Sequence, residues 1–113
     1  VSHRVLRLAQ AIREEMAELI RTELADPRLA MTTVTMAEVS PDSKYCRIYL
    51  SVVGDPDAQS AALAVLEKTK SFLRGEIARR LGLKFAPEIT LRLDRSMEHG
   101  ARVGKLLDEL RKE

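Results

Sequence analysis

Between Asp55 and Leu81 the chain carries one long helical pattern whose apolar residues fall out of phase halfway along. At ~100° per residue, Ala58, Ala61, Ala62, Val65 and Phe72 share one side of a helix, and Leu73, Ile77 and Leu81 lie about a quarter turn away. A straight helix cannot aim both sets at one core. A break at Thr69-Lys70-Ser71 resolves the conflict. The residue types there favour it, because Thr is β-branched and Ser competes for backbone hydrogen bonds. The pattern therefore predicts two helices meeting at a kink. Asp55 is placed to cap the first, Pro56 suits its first helical position, and Gly82 ends the second.

Three strand-like runs offer such a helix pair a surface to lie on. "MTTVTMAEV" (31–39) is rich in β-branched residues but alternates poorly, so its inward face is not defined. "YCRIYLSVV" (45–53) alternates Cys46, Ile48, Leu50 and Val52 against Tyr45, Arg47, Tyr49 and Ser51. Between them "SPDSK" is a turn by composition: Pro41 sets φ while Asp42 and Ser43 bond locally, which makes the two runs a hairpin. "EITLRLD" (88–94) is the third strand.

Helices are predicted at both ends. Residues 3–24 place Val5, Leu8, Ala9, Ile12, Met16, Leu19 and Ile20 on one stripe, with Arg7, Glu14, Glu18 and Arg21 opposite. Pro27 in "ADPRL" closes that helix. Ser96 is placed to cap a last helix with Val103, Leu106, Leu107 and Leu110 as its stripe, weakened at Gly100 and Gly104 by about 1 kcal/mol each. The expected order is α-β-β-α-kink-α-β-α. It makes one α+β domain over residues 1–113, with helices packed on one face of a three-stranded mixed sheet.

Composition excludes several function classes. Apolar residues make up 45%, too many for a disordered chain, and aromatics only 4%, so the core must be aliphatic and a base-stacking platform is not expected. The single Cys46 can form neither an intrachain disulfide nor a thiolate cluster, and its place on an alternating strand makes it a buried small hydrophobe. No run approaches the ~20 apolar residues of a membrane span, and Arg4, Arg7 and Arg13 interrupt any leader-like apolar core. A soluble, cytoplasmic protein is expected. His3 and His99 lack metal-ligand spacing. Gly75 and Gly82 do not make a phosphate-cradling loop. No nucleophile–base arrangement is evident. No enzyme activity, metal, cofactor or small-molecule substrate is therefore expected.

Charge is concentrated where the kink is predicted. "KTKSFLRGEIARRLGLK" (68–84) carries a net +5, and the rest of the chain carries −3. The bland reading is a solvated helix face. The functional reading is a phosphate-binding surface made by Lys68, Thr69, Lys70, Ser71, Arg74, Arg79, Arg80 and Lys84. In it Lys70 and Arg74 share a helix face and Thr69 and Ser71 add hydroxyl donors. Arg92 and Arg95 are weaker candidates to extend it. With so few aromatics, folded RNA read by shape suits this surface better than single-stranded bases. Phe72 is read as core. Phe85, in a loop, is open to core or stacking, with core favoured. Asp94 and Ser96 are read as local backbone caps, with no contact cluster made with Arg102.

The helix–kink–helix between the second and third strands resembles the type II KH fold. "FLRGEIARRLGLKFAPEITLRLDRSMEHGARVGKLL", "SPDSKYCRIYLSVVG" and "VLRLAQAIREEMAELIRTEL" followed by "DPRL" resemble the ribosome-binding factor A family over nearly the whole chain. "PEI" at 87–89, Asp94 with Ser96, and Gly100 with Arg102 follow the family pattern. The resemblance implies a non-enzymatic, KH-like RNA-binding domain. Such a protein binds the maturing 30S ribosomal subunit, contacts 16S rRNA and assists late processing of its 5′ end, including in the cold. One departure stands out. The family replaces the GXXG loop of KH domains with an Ala-x-Gly kink, and this chain has Thr69, Lys70 and Ser71 there. Lys70 would then supply by charge what a glycine supplies by close backbone approach. A monomer is expected. The alternative is a small protein–protein adaptor using Tyr45, Arg47 and Tyr49 on the second strand, or the last helix.

Overall fold

A computed structural model describes residues 2–96 and Leu110. The first helix, α1, spans His3–Leu19, and the Ser2 hydroxyl caps it by accepting from the Val5 N–H. It buries Val5, Ala9, Ile12, Met16 and Leu19. The expected helix over 3–24 is present, but its last turn, Ile20–Leu24, is a π-helix. Ile20 is buried in this widened turn and Leu24 packs against the core. Ala25 then adopts a left-handed conformation, and Asp26, extended, starts the short 3₁₀ turn Pro27–Leu29.

Strands β1 (Thr32–Val39) and β2 (Tyr45–Val52) pair antiparallel, and β2 pairs parallel with β3 (Glu88–Leu93), in the order β1-β2-β3. The sheet is mixed, as expected. The parallel pair needs a crossover, which the two helices between β2 and β3 provide. The weak alternation of the first strand has a structural cause. The register shifts between Val34 and Met36, so Thr35 is a bulge that opposes no β2 residue of its own. Val34 therefore faces the core before the bulge, and Ala37 and Val39 do so after it. At the hairpin turn, Asp42 accepts from the Ser40 hydroxyl at 2.6 Å and the Lys44 N–H at 3.0 Å, and Ser43 takes a positive φ of 62°.

Helices α2 (Pro56–Lys68) and α3 (Lys70–Leu81) meet at Thr69, the predicted place. Asp55 caps α2 on the Ala58 N–H at 2.8 Å, and Gly82, left-handed at φ 65°, closes α3. The break does not arise from a shift in helical phase, however. Phe72 is not core; it is 46% exposed. The buried residues are Ala62, Val65 and Leu66 on α2, then Leu73 and Ile77 on α3. Ala62, Leu66, Leu73 and Ile77 form one continuous stripe across the break. The bend therefore comes from Thr69 itself. Its backbone sits at φ −99°, ψ 6°, and its hydroxyl donates to the Val65 carbonyl at 2.8 Å, the back-bonding that bends helices. The backbone ladder continues on both sides, with Thr69 N–H on Val65 O and Leu73 N–H on Thr69 O. Buried Gln59, which has no counterpart in the sequence-based expectations, donates to the carbonyls of Val52 and Gly54.

The core is a single aliphatic layer. Ile12, Met16 and Leu19 of α1 meet Cys46, Ile48 and Leu50 of β2, Ile89 and Leu91 of β3, and the buried face of α2–α3. Tyr45, Arg47 and Tyr49 point to the other side of the sheet. The predicted last helix lies outside the described residues, apart from Ser96 and Leu110.

Candidate nucleic-acid interface

The basic segment folds as the end of α2, the Thr69 bend, all of α3 and the loop 82–87. Lys68 closes α2 and is exposed, and Ser71 is exposed in the first turn of α3. Lys70 lies beside Lys68 at the bend, its ammonium 2.8 Å from Glu67. Thr69 spends its hydroxyl on helix carbonyls, so of the two hydroxyls expected to face a ligand, Ser71 is the one turned outward.

Arg74 faces inward. Its guanidinium donates to the Pro87 carbonyl at 3.0 Å and to the Ala86 carbonyl at 3.2 Å, and lies 3.4 Å from Glu88. It clamps the loop that leads into β3. Although Lys70 and Arg74 are four apart, the charge of each is already engaged within the fold. Arg80 is also internal: it reaches Glu15 of α1 at 3.4 Å, Glu23 of the π turn at 3.5 Å and Glu76 of α3 at 3.4 Å. Arg79 pairs with Glu76 at 2.6 Å. Lys84 stands on the loop beside Phe85, its ammonium 5.6 Å from the ring centroid. Arg92 is exposed on β3, opposite Tyr49 in register, and Arg95 is exposed just after that strand. The formal +5 is thus partly neutralised by carboxylates from other elements. The Glu67–Lys70 spacing was visible in sequence; Glu15, Glu23 and Glu88 were not, because only the fold brings them to α3.

The ion cluster makes a pH prediction. The Arg79 hydrogen bond, with Arg80 adding to it, holds the Glu76 carboxyl below its ordinary 4.5. A depressed carboxylate contributes stability that is complete above the unfolded-state value and is lost as pH falls through the folded-state value. Denaturant melts at pH 7 and below pH 4.5 are therefore expected to lose less stability in Glu76→Gln than in the parent chain. Equal losses would show that Glu76 plays no part in the acid sensitivity.

The remaining chemically active groups have local roles. Cys46 is buried and desolvation pushes its thiol up to about 11, so it is no nucleophile at neutral pH. Asp94 accepts from the Ser96 N–H at 2.9 Å, as the capping reading expects, and also from the bulge hydroxyl of Thr35 at 2.7 Å. Hydrogen bonding from the Ser96 side chain, then from the Ser96 N–H and the Thr35 hydroxyl, holds its carboxyl below the ordinary range. Among the described residues no cluster of His, Cys, Asp and Glu could hold a metal ion, and no helix is long and apolar enough to cross a membrane.

A mixed three-stranded sheet, covered on one face by α1 and a bent helix pair that carries the basic residues, defines a small α+β fold. Comparison with known proteins gives this class a family. The family model for ribosome-binding factor A matches residues 4–107, and the chain belongs to that family. It is 40% identical over 110 residues to the ribosome-binding factor A of Desulforamulus reducens, covering 97% of this chain and 92% of that one. It is 42% identical over 113 residues to that of Moorella thermoacetica, covering 98% and 93%. Among solved structures, the crystal structure of ribosome-binding factor A from Thermus thermophilus superposes with a TM-score of 0.71 at 25% identity, covering 81% of this chain and 98% of that one. A Thermus thermophilus homology model of the factor, fitted into a cryo-EM map of its complex with the 30S subunit, superposes with a TM-score of 0.65 at 26% identity, covering 85% and 97%.

Proposed function

We propose that this chain is a cytoplasmic, monomeric assembly factor. It binds the maturing 30S subunit, contacts 16S rRNA and assists late processing of the rRNA 5′ end, including in the cold. It acts by binding and not by catalysis: cations beside the Thr69 bend neutralise rRNA phosphates, and the bound state biases a local rRNA fold. The observation that carries this reading is the placement of Lys68, Lys70 and Lys84 along one bent helix pair and its following loop, in a chain whose family includes a relative fitted into a 30S complex. Lys70, half-buried beside the exposed Glu67, can exchange it for a phosphate at small cost, because a surface ion pair is worth about 1 kcal/mol or less.

Co-sedimentation with 30S subunits, 50S subunits and 70S ribosomes across a salt series tests the proposal. Association with free 30S, lost as salt rises, is expected. Lys68→Ala with Lys70→Ala should flatten the dependence of log K on log salt by roughly 1–2, since each phosphate contact adds about 0.7–0.9 to the slope. A double variant with the parent's affinity and slope would remove these residues from the interface. The adaptor reading keeps one observation in its favour: Tyr45 is 61% exposed on the outer sheet face, beside Arg47 and Tyr49. Binding to a ribosomal protein but not to naked rRNA, with little salt dependence, would favour it.

A further inference from the structure

None of the four aromatic side chains is buried. The core is aliphatic, with Met16 and Cys46, and three of the four rings are among the exposed large hydrophobics. Phenylalanine is ordinarily one of the residues most often inside. Phe85, expected in the core, is the outermost at 78% exposed.

A single exposed apolar side chain needs no explanation by itself. Phe85 differs in how it is held and in what stands beside it. Its loop is pinned at both ends. The Leu83 N–H donates to the Ala78 carbonyl at 2.8 Å, Arg74 donates to the carbonyls of Ala86 and Pro87, and the Glu88 N–H donates to the Lys44 carbonyl at 2.8 Å. Pro87 is buried. The ring is thus presented to solvent by an anchored backbone, so binding need not order the loop. The Lys84 ammonium sits against it, and the loop directly follows the basic end of α3. An aromatic face with an adjoining cation is the combination by which proteins hold unstacked nucleotides.

We propose that Phe85 and Lys84 form a base-stacking site. The Phe85 ring stacks on one unpaired or helix-terminal nucleobase of a folded RNA, and Lys84 neutralises the neighbouring phosphate. One ring makes no platform, so the site takes a single extruded base and does not track a strand. Stacking tolerates any base, because each has a π-face. This inference rests on the rRNA-binding reading above and names a contact within it that the basic residues alone do not supply.

The chain contains no Trp, so Phe85→Trp introduces a sole indole reporter at the proposed contact. Titration of this variant with 30S subunits is expected to quench its fluorescence while affinity is retained. Phe85→Ala and Phe85→Leu should weaken 30S binding alike, by roughly tenfold within a range of about 5- to 150-fold, with the salt slope unchanged. A Phe85→Leu variant that binds as the parent does, together with a blue-shifted and unquenched indole, would overturn the site in favour of an apolar protein pocket. Unchanged affinity in both the Ala and Leu variants would overturn it while leaving the rRNA-binding reading standing. Failure of the parent chain itself to bind 30S would overturn both.

Discussion

Leu66→Ala is expected to lower the free energy of unfolding by about 2–5 kcal/mol, and Phe72→Ala by less than about 1 kcal/mol. Leu66 is completely enclosed where α2 meets the sheet, so truncation leaves a cavity that its neighbours can only partly fill. Phe72, the larger side chain, is half outside, and much of its surface stays in water on either side of the unfolding equilibrium. Denaturant melts of the two variants read the difference directly. The ordering runs against side-chain size and against the helical phase that places Phe72 in the core. A larger loss for Phe72→Ala would mean that α3 is rotated from the orientation described, and would restore the phase shift as the cause of the bend.

That pair of residues shows where the sequence was readable and where it was not. Periodicity placed the described α-helices and strands within a few residues, because alternation in β2 and the Leu73–Ile77 spacing in α3 each follow from one buried face. It assigned the wrong cause to the bend, because a Phe counts as core in any pattern, whereas the fold buries Leu66, about 120° around the helix from Phe72. Two irregularities also escaped it. The Thr35 bulge and the π turn at Ile20–Leu24 each insert a residue out of period, and the chain beyond or within each still meets the core: Ala37 and Val39 in one case, Leu24 in the other. Such corrections are made against tertiary partners that no local window contains.

The candidate site was legible in its position and less so in its division of labour. Counting charge along the chain picked out the segment that folds as the bend and α3, but it counted each cation alike. In the fold, Arg80 is surrounded by carboxylates from α1, the π turn and α3, and Arg79 shares Glu76 with it. Arg80 joins helices, whereas Arg79 is paired only within α3 and stays exposed, as Lys68 and Lys84 do. Side-chain chemistry suits Arg80 to its role. A guanidinium offers five donors in a planar fork and suits several fixed acceptors at once, whereas an ammonium on a flexible stem exchanges partners easily.

Arg74 gives the sharpest test of that division. Arg74→Ala is expected to cost about 2–4 kcal/mol, because it removes two charge-assisted bonds and leaves the carbonyls of Ala86 and Pro87 without these donors. Arg74→Lys should recover at most part of the loss, since one ammonium cannot reproduce the fork that spans both carbonyls and Glu88. If Arg74 only positions the loop, the folded fraction of Arg74→Lys will bind 30S with the parent's salt slope, and its affinity will fall through the misplacement of the Phe85 ring. If Arg74 instead grips phosphate, stability will hardly change and the slope will drop by about 0.7–0.9, one phosphate contact. Thermal melts beside a salt titration of the same two variants separate the cases. Because stability and salt slope move in opposite combinations, a variant that merely fails to fold cannot mimic the loss of a phosphate contact.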